Sequence, residues 1–153
     1  MKLAIGSDHA GYKLKEEVTS FLRKQQIEFT DFGTCSLDPV DYPDVGEKVA
    51  KSVAAGDFDR GILICGTGIG ISIAANKVPG IRAALCSDTF SARSSIEHNN
   101  ANILALGERT TGPGVAIDIV AIWLSTVFPH EDRHQRRIDK ITTIEDNFSK
   151  GGI

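Results

Sequence analysis

The chain has 153 residues, 41% of them hydrophobic and 24% charged, with a formal net charge of −3. That length supports one domain with a full core rather than two, the acidic balance argues against a nucleic-acid surface, and no run reaches the ~18 apolar residues of a membrane span. Cys35, Cys65 and Cys86 are odd in number, widely spaced and free of any C-x-x-C, which points away from both a disulfide framework and a zinc site.

Lys2 to Ser7 reads as a first strand that ends in Asp8-His9-Ala10-Gly11, and Leu14, Val18, Phe21 and Leu22 then recur at helical spacing. The N-terminal run reaches a charged residue too early for a signal peptide, so a cytoplasmic chain is expected. Ile27 to Phe32 is a second strand, and a loop containing Pro39 and Pro43 delivers Tyr42 to the start of a helix whose inward face is Val45, Val49 and Val53. Ile62 to Ile64 form a third, buried strand ending in Cys65, after which Gly66, Gly68 and Gly70 alternate with Thr67 and Ile69 before a helical run of small residues. Ile81 to Cys86 is the fourth strand, a helix capped by Asp88 or Thr89 runs towards Asn99, and Asn102 to Leu106 is the fifth strand, closed by Gly107. A helix follows Gly112-Pro113-Gly114, another covers roughly 131–148, and the last residues, from about 148, read as a tail.

Five short apolar strands alternating with helices predict a single α/β domain over 1–153, a three-layer α/β/α Rossmann-like fold with a five-stranded parallel sheet and a C-terminal helix. Ligands of such sheets bind beyond the carboxyl ends of the strands, so Asp8, His9, Cys65 with its glycine loop, Ser87, Asp88 and Gly107 to Arg109 are expected on one rim.

The glycine loop removes side chains that would hold a ligand off the backbone, and a helix start adds unpaired N–H groups, so an anion or developing oxyanion suits it. Cys65 at its lip is placed to act as base or nucleophile; the alternative is a buried small hydrophobe beside a tight turn. A dinucleotide fingerprint fails in register, since Ile71 stands where glycine is needed, and no G-K-[ST] follows. Arg133 and Arg137 lie one turn apart on the last helix, a spacing that suits a phosphate dianion or, equally, a solvated face paired with nearby acids. His98-Asn99-Asn100 at a helix end reads as C-terminal capping when taken alone.

With G-S-D-H-A-G at 6–11, D-Y-P-D at 41–44, I-L-I-C-G-T-G-I-G-I-S-I-A-A-N-K at 62–77, H-N-x-A-N at 98–102, G-E-R at 107–109 and R-H-x-x-R at 133–137, the sequence resembles the ribose-5-phosphate isomerase B family over nearly its whole length. The resemblance implies an aldose–ketose isomerase acting on ribose 5-phosphate and ribulose 5-phosphate in the pentose phosphate pathway, without metal or organic cofactor. It assigns Cys65 as the base, the backbone of Gly66, Gly68, Ile69 and Gly70 as the enediolate cradle, and Thr67 as a proton shuttle. Asp8 with His98 would open the sugar ring, Tyr42 and Asn99 would position hydroxyls, and His9, Arg109, Arg133 and Arg137 would hold the phosphate. In the family His98, Asn99 and Arg109 enter from a neighbouring subunit, which implies a homo-oligomer, at least a dimer. The alternatives are a galactose-6-phosphate isomerase subunit and a non-catalytic sugar-phosphate or nucleotide-binding module.

Overall fold

The computed structural model describes residues 1–149, so the end of the expected tail, 150–153, lies outside the described residues. Its elements are β1 (Lys2–Ser7), α1 (Tyr12–Lys24), β2 (Glu28–Asp31), α2 (Tyr42–Ala54), β3 (Arg60–Cys65), α3 (Ile69–Ala75), β4 (Ala83–Leu85), α4 (Thr89–Asn99), β5 (Ile103–Gly107), α5 (Pro113–Ser125) and α6 (Asp132–Ser149). All strand pairs are parallel, in the order β2-β1-β3-β5-β4.

Side chains alternate across each strand, which divides the core in two. Leu3, Ile5, Ile62, Ile64, Leu104 and Leu106 face α1, α4 and α5, where Val18, Ile96, Ile119 and Trp123 meet them. Ala4, Leu63, Cys65, Ile103 and Ala105 face the other way, onto Val45 and Val49 of α2 and Ile71 of α3. Gly6 belongs to this second face; a Cβ there would lie 2.7 Å from Val45 Cγ1, so its absence lets α2 come down onto the sheet.

The fourth strand is shorter than the apolar run 81–86 predicts. The side chains of Asn102 and Asn76 accept the N–H groups of Arg82 and Ala83 at 2.8 Å each, and only three residues are left to the edge strand. Helix α3 begins at Ile69, two residues ahead of the expected small-residue run, and α6 continues one residue past Phe148. No helix among the described residues is long and apolar enough to cross a membrane.

β1 lies between β2 and β3, so the strand order reverses there: the chain builds β2 on one side of β1 and then crosses to build β3 on the other. That divergence opens a crevice at the carboxyl ends of β1 and β3.

Candidate active site

Ser7 and Ile64 are paired across β1 and β3, so the turns after both strands emerge side by side. The Asp8 carboxylate accepts the N–H groups of Ala10 at 2.9 Å and Gly11 at 3.0 Å, which winds the chain into one 3-10 turn and buries Asp8. A Cβ on Gly11 would sit 2.5 Å from the Ile64 carbonyl oxygen and 2.9 Å from the Cys65 nitrogen, so this turn rests directly on the backbone that carries Cys65.

Cys65 is 5% exposed, and its Sγ accepts the Gly68 N–H at 3.1 Å. Gly68 makes that bond with φ +77, and a Cβ would meet Leu85 Cδ1 at 2.4 Å and the Leu106 carbonyl oxygen at 3.0 Å, so glycine is required both by the left-handed turn and by space. Thr67 Oγ1 accepts the Ile69 N–H at 3.3 Å. The Tyr42 ring covers Gly70, where a Cβ would lie 2.7 Å from Cζ. A Cβ on Gly66 would lie 3.4 Å from the Arg109 guanidinium and 3.5 Å from Ala10 Cβ. Bare backbone at Gly70 is thus what lets Tyr42 close over the loop, while Arg109 and Ala10 lie at ordinary contact distance from Gly66.

His9 Nδ1 lies 3.2 Å from both the N–H and the carbonyl oxygen of Val40; a neutral ring that accepts the N–H there carries its proton on Nε2. The loop that supplies Val40 and Tyr42 is fastened at its start by Lys15. This lysine is 1% exposed, pairs with Asp31 and donates to the Thr34 carbonyl oxygen at 2.6 Å. Lys15 is not among the residues the sequence motifs single out; its signal is a lysine next to Leu14 on the inward face of α1 with an aspartate closing the adjacent strand.

His98 and Asn99 lie at the opposite end of the sheet. They close α4, which runs back from the end of β4, and the carbonyl oxygens of Asn99 and Asn100 accept Arg82 Nε and Nη2 at 2.9 and 2.8 Å, just ahead of β4. The Asn102 carbonyl oxygen accepts the Gly61 N–H at 2.8 Å at the start of β3. The six residues of β3 therefore separate this edge from Cys65, roughly 16 Å. The His98 ring stacks on His134, with centroids 4.6 Å apart and planes 17° apart, over a 260 Å³ hollow that Arg133 also lines. His134 is buried, and its Nδ1 has no hydrogen-bond partner among the described residues; burial, then Arg133 and His98, hold its pKa below the ordinary imidazole value. Arg133 Nε donates to Glu131 at 2.7 Å, and Arg137 is exposed one turn further along α6.

Within one chain the predicted residues thus form two groups. Asp8, His9, Tyr42, Cys65, Thr67, the glycines, Ile69 and Arg109 share the upper rim; His98, Asn99, Arg133 and Arg137 share the lower one. Within one chain the four phosphate-binding candidates are divided two and two, and Arg109 lies over Gly66. Spacing along the sequence could not reveal either, because α4 returns His98 to the far edge while β5 carries Arg109 to the near one. No group of three or more His, Cys, Asp or Glu side chains among the described residues is arranged to hold a metal ion.

The family model described as Ribose/Galactose Isomerase matches residues 3–141. The chain belongs to this isomerase family. The isomerase is 49% identical to ribose-5-phosphate isomerase B of Escherichia coli over 144 residues, covering 94% of this chain and 96% of that one. Its fold superposes on ribose-5-phosphate isomerase B of Clostridium thermocellum with a TM-score of 0.95 at 58% identity, covering 97% of this chain and 99% of the other. The Mycoplasma genitalium ribose-5-phosphate isomerase B, solved with bound ribulose-5-phosphate, gives 0.90 at 42% identity, with 95% and 96% covered.

Proposed function

We propose that this isomerase interconverts ribose 5-phosphate and ribulose 5-phosphate in the cytoplasm, as a step of the pentose phosphate pathway. Its site is built from the upper rim of one copy and the lower rim of a second. The single observation that carries this reading is the Cys65 sulfur accepting the Gly68 N–H at 3.1 Å in a loop of bare backbone. That bond fixes the sulfur at the lip of the loop, and the thiolate is the form of a cysteine that takes a proton from carbon.

Asp8 of one copy and His98 of the other transfer the protons that open the sugar ring. The Cys65 thiolate then removes the C2 proton of the aldose, and the electron pair moves through C1 onto O1. Backbone N–H groups of the 66–70 loop hold the developing oxyanion, which a preorganised donor set stabilises without reorganisation. Thr67 passes the O2 proton to O1, Cys65 returns its proton to C1, and the ketose forms with no net gain or loss of electrons. Tyr42 and Asn99 orient hydroxyls. His9 and Arg109 from one chain, with Arg133 and Arg137 from its partner, hold the phosphate, whose geometry guanidinium donors match.

A coupled assay of ribulose 5-phosphate formation by chelator-treated protein tests the reading, with galactose 6-phosphate as the competing substrate. Wild type turns over ribose 5-phosphate, and Cys65→Ala loses turnover while still binding it. Binding without turnover in the wild type, or an undiminished Cys65→Ala, supports the binding-module alternative instead. Preferential turnover of galactose 6-phosphate shifts the substrate assignment.

A further inference from the structure

We propose that Glu108 is a positioning residue that directs Arg109 onto the glycine loop, an inference that rests on the phosphate role given to Arg109 above. The Glu108 and Arg109 N–H groups each donate at 2.9 Å, to the carbonyl oxygens of Cys65 and Gly66, while the Thr110 and Thr111 N–H groups return to the Gly107 carbonyl oxygen, so the turn that follows β5 is pinned to the loop that holds the sulfur. From that turn the Glu108 Oε2 accepts the Leu14 N–H at 2.9 Å, 94 residues away in sequence. Arg109, the next residue of the same turn, lies over Gly66.

Two further observations separate this from ordinary capping. The residue that precedes α1, Gly11, offers no side-chain cap, so the Leu14 amide depends on a distant acceptor, and that acceptor is neighbour to a candidate phosphate ligand. Glu108 and Arg109 do not pair with each other, although they are adjacent and of opposite charge, and neither has an ion pair among the described residues. A carboxylate free to swing onto Arg109 would compete with a phosphate for its guanidinium. Fixing Glu108 on the start of α1 prevents that, and leaves the guanidinium donors of Arg109 for the substrate.

The test compares Glu108→Ala, Glu108→Gln, Arg109→Ala and the Glu108→Ala/Arg109→Ala double variant. Glu108→Ala raises KM for ribose 5-phosphate about tenfold, the worth of one charge-assisted contact, with kcat changed less than about twofold. Glu108→Gln keeps an oxygen that can accept the Leu14 N–H and stays within about twofold of wild type. In the Arg109→Ala background, Glu108→Ala has no further effect, because the two act as one unit. Calorimetric binding of inorganic phosphate weakens by the same factor and gives a readout that needs no turnover. An equal loss from Glu108→Ala with or without Arg109, or a Glu108→Gln as impaired as the alanine, overturns the proposal. If wild type binds phosphate but does not isomerise ribose 5-phosphate, the catalytic reading fails, while the phosphate measurements still decide the role of Glu108.

Discussion

The proposed division of the site between two rims makes a quantitative prediction about mixtures of inactive chains. Cys65→Ala removes an upper-rim group and His98→Ala a lower-rim group about 16 Å away along the sheet, so each homo-oligomer has no intact site. In a dimer containing one chain of each kind, one site carries both lesions and the other carries neither. Random reassortment of equal amounts makes half of the dimers mixed, and one of their two sites is whole, so about a quarter of wild-type activity returns. Cys65→Ala mixed with Arg109→Ala behaves differently: both lesions lie on the upper rim, every site keeps one of them, and no activity returns above that of Arg109→Ala alone. The assay is initial-rate ribulose 5-phosphate formation after the chains have been unfolded together and refolded, with each variant refolded alone as control. Failure of the first mixture to recover would mean that one chain completes its own site. Recovery in the second would mean that Arg109 does cross to a partner and that its position over Gly66 is not the working one.

The three thiols separate on alkylation at pH 8, as read by mass spectrometry of labelled peptides: exposed Cys35 reacts first, Cys65 reacts slowly with loss of activity and is protected by substrate, and Cys86 does not react. Burial pushes the Cys86 thiol up to about 11, so it stays protonated, and Cys35→Ser leaves activity intact. Gly68→Ala costs about 1–3 kcal/mol in urea unfolding from the left-handed φ alone, more from the Leu106 backbone contact, and lowers kcat because the N–H bond to Cys65 shifts. The Ser91 N–H and hydroxyl hold the Asp88 carboxyl below its usual pKa, so its stabilisation is fully present above about pH 4 and is lost as pH falls through the lowered folded value. Asp88→Asn flattens that part of the Tm profile between pH 2 and 5; an unchanged profile refutes the assignment.

Strand and helix order was legible in the sequence because it depends on local pattern: the short continuous apolar runs of β1 and β3 mark strands buried on both faces, and the valines four apart in α2 mark the one face that helix buries. The chemistry of the glycine loop was legible for a similar reason, since a sulfur followed by three alternating glycines is a local backbone device. The ends of β4 were not, because they are set by Asn76 and Asn102 side chains reaching in from other segments.

What the sequence determined alone is the inventory: a parallel α/β domain, its buried faces, and the residue types that a sugar phosphate requires. What the tertiary structure decided is their grouping. Strand order and the return direction of α4 send His98 and Asn99 to the lower edge, with Arg133 beside them at the start of α6, while the turn after β5 lays Arg109 on Gly66 and Glu108 on α1. The physical reason is that a side chain's face is fixed by its local repeat, whereas its rim is fixed by which way the whole element runs, and only the packed sheet sets that direction.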